Sequence, residues 1–284
     1  MRLFASRNSW PLQIFVLASL LGCLAGCGER SPDALVEADS LFREGRLEAA
    51  ASAYARLPEA ATSWRPYGAW RSAVIYRDAI GDLPRAEKGF LECSSRFPMD
   101  SWGYACLVEL GDLRRQNRRF RAAINSYRAA LEQRPRGQHA EHCLLQSGQS
   151  YLALGEFDQA RVEWQELARE FPASKLLSEV ALERSRSFDL QGRYKEALAS
   201  YQAVLEDFAE DEVAVAAAFG VAESYEQLGM LDEAEAAYYA VIDRHPNRSM
   251  VELKLSNLSN RRTRRDRDPT QVIQHGRVLN PGGH

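Results

Sequence analysis

The chain of 284 residues is poor in cysteine, proline and glycine and has no dominant charge. Five Cys are too few for a disulfide scaffold of this length. Eleven Pro and 18 Gly exclude collagen-like and low-complexity chains. Lys and Arg number 36 against 39 Asp and Glu, a net charge of −3. That balance lacks the broad basic surface of a general nucleic-acid binder. No apolar run reaches the roughly 20 residues of a membrane-spanning helix, which excludes a polytopic membrane protein. What remains is a composition with 45% apolar residues, ordinary for a folded protein.

Catalytic signatures are equally scarce. There is no Gly-x-Ser-x-Gly elbow, no phosphate-cradling glycine loop and no His-Glu-x-x-His. The one suggestive stretch is His139-Ala140-Glu141-His142-Cys143. Its His-x-Glu resembles the zinc-deaminase motif, but the Pro-Cys-x-x-Cys that completes that motif is missing. The stretch reads as a polar helix start with Cys143 facing a neighbour, and an envelope enzyme built on residues 139–143 stands as the alternative. No catalytic residue, metal ligand or cofactor is expected. Cys93, Cys106 and Cys143 are expected as buried thiols acting as small apolar residues, because no spacing among them specifies a pair.

The amino terminus is organised differently from the rest. Residues 1–13 carry Arg2 and Arg7 and no acid, and an apolar run follows from Ile14 to Gly26. Charge followed by a short apolar run is the order of a secretory signal. As a helix the run reaches only about 20 Å, short of the roughly 30 Å hydrocarbon core. It ends at Leu24-Ala25-Gly26-Cys27, which resembles the lipobox of bacterial lipoproteins; Leu20-Leu21-Gly22-Cys23 is a weaker overlapping candidate. The resemblance implies a signal peptide over 1–26, diacylation of Cys27 and a linker over 27–30. Several acyl chains together give a stable anchor. Lipoproteins retained at the inner membrane of many Gram-negative bacteria carry Asp after the Cys, and here Gly28 stands there. The resemblance therefore implies the outer membrane, facing the periplasm.

Beyond residue 30 the chain repeats itself. Ala50, Ala86, Ala123, Ala160, Ala197 and Ala234 recur at steps of 36, 37, 37, 37 and 37 residues. Three residues before each stand Leu47, Leu83, Phe120, Phe157, Tyr194 and Leu231, and four after stand Tyr54, Phe90, Tyr127, Trp164, Tyr201 and Tyr238. Those offsets share one helix face, with Ala permitting close approach and the aromatic supplying apolar area. Five residues before the Ala stand Gly45, Gly81, Gly155, Gly192 and Gly229, with Arg118 as the exception. Glycine suits a turn that needs positive φ. Seven before the turn residue come Ala38, Gly111, Gly148, Ser185 and Ala222, with Val74 larger. Proline ends the second helix at Pro98, Pro135, Pro172 and Pro246, and the early Pro58 predicts a short one in the first repeat.

Leu144, Gly148, Tyr151, Gly155, Phe157, Ala160, Trp164 and Pro172 resemble the tetratricopeptide repeat (TPR) pattern position by position. The resemblance implies an all-α solenoid, a right-handed superhelix of about six helix pairs over 31–248. The 37-residue spacing and Phe-Pro turns look like bacterial envelope TPR proteins, among them the TPR lipoprotein of the outer-membrane β-barrel assembly machine and the Tol-associated division coordinator. Val251, Leu255 and Leu258 predict a capping helix over 249–262, and 263–284 reads as a disordered basic tail. Residues 261–284 carry 6 Arg and 2 Asp.

In TPR proteins the first helix of each pair lines the concave groove. Matching that register assigns the groove to Ile75, Asp112, Arg115, Gln149, Arg186, Asp189 and Glu223. The mixture is polar and of both signs, and it lacks the Lys, Arg and Asn set that clamps a C-terminal carboxylate. The implied function is a non-catalytic, lipid-anchored scaffold for envelope proteins or peptide segments of them, with outer-membrane protein assembly or division and peptidoglycan coordination as the pathways in view. Contact with the membrane runs through the anchor, and no nucleic acid is expected.

Overall fold

The computed structural model describes residues 32–267. The signal-like segment, Cys27 and the tail beyond 267 lie outside the described residues. Every element is helical: α1 (Asp33–Arg43), α2 (Leu47–Ala55), α3 (Arg65–Ile75), α4 (Leu83–Arg96), α5 (Ser101–Gln116), α6 (Phe120–Gln133), α7 (Ala140–Ala153), α8 (Phe157–Glu170), α9 (Leu177–Leu190), α10 (Tyr194–Asp207), α11 (Val213–Gln227), α12 (Leu231–Val241) and α13 (Arg248–Arg267), with a π turn at Tyr76–Ile80. Odd and even helices pair, and each pair packs on the next, giving an all-α TPR solenoid closed by α13. No helix among the described residues is long and apolar enough to cross a membrane.

The repeat positions account for the stack. All six central alanines are fully buried, and the aromatics one turn later lie between 0 and 4% exposed. The small residues of the first helices make room for them: a Cβ on Gly111 would stand 2.4 Å from the Tyr127 ring, and one on Gly148 would stand 2.2 Å from Trp164 Nε1. Interiors packed at crystal density leave no slack for such an atom.

The turns within pairs repeat as closely. An N–H reaches back five residues to a carbonyl at Arg46–Leu41, Arg119–Arg114, Glu156–Tyr151, Arg193–Phe188 and Met230–Tyr225, the bond that closes a helix through a left-handed residue. Five turns use glycine at φ between 75° and 80°, and Arg118 holds the same conformation at φ 59°. A side chain there costs about 1–2 kcal/mol, part of which glycine returns as unfolded-chain entropy. Arg118→Gly is therefore expected to stabilise the fold by about 0.5 kcal/mol, read as a rise in the urea midpoint. A lowered midpoint would contradict it.

The second repeat departs from the others, and with it one groove assignment. Its closing bond runs six residues back, from Asp82 to Tyr76, because the π turn takes up one extra residue. Counting back from Gly81 therefore misplaces α3 by one position. The small residue is Ala73 rather than Val74, and Ile75 corresponds to Leu113. Ile75 is 1% exposed and packs with Leu35, Ala38 and Tyr54, so it belongs to the core and not to the groove.

Two further expectations change. Cys93 of α4 and Cys106 of α5 form a disulfide rather than two thiols; Cys143 alone of the three stays free and buried. The bond ties the second repeat to the third across a sequence separation of 13. Loops of that length are worth about 2–3 kcal/mol in chain entropy. Replacing both cysteines by serine should lower thermal stability by that amount, checked by calorimetry with and without reductant; reductant should leave the variant unaffected. The capping helix also extends past 262, through Arg267. Arg261 pairs with Glu226 at 3.1 Å and Arg262 with Asp232 and Glu235, so the basic run begins as a docked helix rather than as free tail.

Candidate partner-binding face

First helices of successive pairs touch one another: α3 meets α5, α5 meets α7, α7 meets α9 and α9 meets α11. The second helices pack mainly on their chain neighbours. Crowding on one side and spreading on the other curves the stack, so the odd helices line the inner face.

Polar side chains bridge neighbouring repeats along this face. The guanidinium of Arg77 pairs with Glu109. Asp112 receives His142 Nε2 at 2.8 Å and the Tyr127 hydroxyl at 2.6 Å. Gln149 donates to Glu179 at 3.5 Å, and Lys254 pairs with Glu223 at 2.9 Å. Arg186 pairs within its own helix with Glu183 at 2.7 Å. Arg115 lies half-buried on the same face, its Nε buried without a hydrogen-bond partner among the described residues. Asp112, Arg115, Gln149, Arg186, Asp189 and Glu223 thus share the inner face, whereas Ile75 does not.

Burial and charge set the electrostatics. Burial pushes the Asp112 carboxyl up, but the bonds and charge of His142 and the Tyr127 hydroxyl outweigh it, and the group sits below the ordinary carboxylate range. Towards the last repeats the balance reverses. Burial and then Glu183 raise Glu179; burial and then Glu223 raise Asp189. Arg186 and Lys254 offset part of this, and the four carboxyls Glu179, Glu183, Asp189 and Glu223 outnumber these two cations, a balance that attracts cationic groups.

The same geometry explains the His139–Cys143 stretch. His142 is occupied by Asp112, and the His139 ring stacks on Tyr104 at 5.9 Å. Cys143 is fully buried, and burial followed by the charge of Asp112 pushes its thiol up to about 12. A nucleophile needs the thiolate and access, and Cys143 has neither near neutrality. Among the described residues no group of three His, Cys, Asp or Glu side chains is placed to hold a metal ion.

Sequence reasoning missed two features. Arg77, which corresponds to Arg115 once the extra residue of the π turn is counted, is not among the groove positions read from the repeat. The ring cluster of Trp64, Tyr67, Trp70 and Trp102 was passed over because none of these residues falls on the repeat's Ala-aromatic register.

Comparison with known proteins agrees with the fold. Family models described as tetratricopeptide repeat match residues 108–142 and 182–249, and a second one matches 142–174. A tetratricopeptide repeat protein from Parabacteroides merdae is 22% identical, with a TM-score of 0.57, covering 71% of this chain and 75% of its own. MamA is 15% identical, with a TM-score of 0.52, covering 63% of this chain and 90% of its own. No curated protein sequence matches.

Proposed function

We propose that this tetratricopeptide-repeat solenoid is a lipid-anchored scaffold of the bacterial cell envelope, fixed to the outer membrane through Cys27 and gathering envelope proteins on its inner face. The observation that carries the reading is the inner face itself: a row of half-exposed and exposed polar side chains from Asp112 to Glu223, with Cys143 sealed beneath it. Tetratricopeptide repeats present such faces to protein partners and are generally non-catalytic. The acidic end at Glu179, Glu183, Asp189 and Glu223 favours a segment carrying Lys or Arg. Export to an oxidising compartment fits the Cys93–Cys106 disulfide, which reducing cytosol disfavours. The lipobox-like Leu24-Ala25-Gly26-Cys27 and the following Gly28 supply the anchor and favour the outer membrane. The pathways this scaffold best fits are outer-membrane protein assembly and, as the second reading, division or peptidoglycan coordination.

Two measurements test it. Palmitate labelling should be lost in Cys27→Ser and sensitive to globomycin; undiminished labelling of the variant would end the anchor. Crosslinked pull-down from membranes should recover envelope proteins, and a joint Glu179→Lys and Asp189→Lys substitution should weaken that recovery. Recovery unchanged by the reversal would remove the inner face from the binding site.

A further inference from the structure

Aromatic rings gather at the edge of the solenoid where the first helices begin. Tyr67 and Trp70 of α3 and Trp102 of α5 stand with ring centroids 5.9, 5.1 and 4.6 Å apart, and Trp64 adds a fourth ring 6.2 Å from Tyr67. All four are half-buried, and Met99 in the turn before α5 is 87% exposed. The chain enters the fold here: Ala34, the second residue of α1, packs against the same apolar cluster as Trp64 and Tyr67. Six residue steps separate Cys27 from Asp33, at most about 20 Å of extended chain. An acyl group on Cys27 therefore keeps this edge close to the bilayer surface.

The chemistry of the edge suits that surface. The Nε1 atoms of Trp64 and Trp70 are buried without a hydrogen-bond partner among the described residues, so these two indoles offer carbon edges rather than N–H groups; aromatic rings concentrate in the interfacial layer of a bilayer. The links and helix ends that form this edge carry Arg56, Arg65 and Arg96, and Arg134 donates to the Met99 carbonyl at 3.1 Å, against Asp33, Glu59 and Asp100. The corresponding edge between α10 and α11 carries Glu206, Asp207, Glu210, Asp211 and Glu212 with no base among them. Anionic lipid attracts the first and repels the second.

We propose that the aromatic edge formed by Trp64, Tyr67, Trp70, Met99 and Trp102 is a membrane-facing surface that rests on anionic phospholipid headgroups. The solenoid then stands on its first three repeats, with its acidic end and inner face lifted into solution. This inference rests on the Cys27 anchor proposed above, and the test separates the two.

The mature chain, 27–284, is anchored on vesicles of phosphatidylethanolamine and phosphatidylglycerol with brominated acyl chains, which quench nearby tryptophan. Three of the four tryptophans after Cys27 lie in the patch and Trp164 does not, so about half the fluorescence should be lost. Met99→Asp with Arg96→Glu, both exposed positions, should reduce that quenching by about twofold without unfolding the chain. Undiminished fluorescence in protein that floats with the vesicles would overturn the surface. A Cys27→Ser chain held on nickel-chelating lipid by an amino-terminal histidine tag removes the dependence on acylation. Quenching there, without palmitate labelling of the native chain, would sink the anchor and leave the surface standing. Absence of quenching in that tethered chain would sink the surface and leave the anchor to the labelling result.

Discussion

Trp164→Ala is expected to lower the unfolding free energy by about 3–5 kcal/mol, the largest loss of any single aromatic truncation in this stack. Trp164 is fully buried in the cluster that also holds Ile124 of α6, Leu144, Leu145 and Tyr151 of α7 and Val180 of α9, the core shared by three successive repeats. Its Nε1 donates to the Leu145 carbonyl at 3.3 Å, a bond added to the helical one that this oxygen accepts within α7, and truncation removes it. The site cannot collapse to fill the void, because Gly148 opposite has no side chain to move inward. A solenoid is held by neighbour contacts alone, so a weakened fourth repeat separates the stack into two units. The urea transition of the variant, followed by circular dichroism, should broaden as well as shift. A loss below about 1 kcal/mol with an unchanged slope would show that the ring is not the joint described here.

The positions legible in the sequence were those set by packing that recurs within each pair. Ala160, Trp164 and Gly155 announce themselves because every repeat solves the same problem of two helices closing on a left-handed turn. What escaped depends on how different repeats meet. The π turn at Tyr76–Ile80 adds one residue between α3 and Gly81 and changes no residue type, so counting back from Gly81 puts Ile75 into the groove, whereas the contact with Glu109 falls to Arg77. The Cys93–Cys106 bond follows from α5 folding back along α4 after Phe97-Pro98, a geometry that a spacing of 13 does not state. The bridges from Asp112 to His142 and from Gln149 to Glu179 both span 30 residues, seven short of the repeat, so a search for identical positions in register does not find them.

Glu226→Ala should cost about 3 kcal/mol, and the residue stands one repeat after Asp189 in the same register. Glu226 of α11 is 9% exposed and accepts the Tyr238 hydroxyl of α12 at 2.9 Å, Lys254 of α13 at 3.4 Å and Arg261 at 3.1 Å. One carboxylate thus fastens the last pair to the helix that caps it, over the buried cluster of Tyr238, Val241, Val251 and Leu258. Removing it strands the buried Tyr238 hydroxyl and the Arg261 guanidinium, while Lys254 keeps its pair with Glu223 at 2.9 Å, and a partner left unpaired costs more than the pair is worth. Arg261→Ala should cost about 1 kcal/mol, and the double variant should fall short of the sum by a coupling of similar size. If Arg261 belonged to a solvated tail, its removal would change stability by less than about 0.5 kcal/mol and the two losses would add. The cycle therefore decides whether the basic run after Asn260 is an appendage or the lock on the open end of the solenoid. The docked arginines, and the Lys254 bonds to Glu223 and Glu226 beside them, favour the lock.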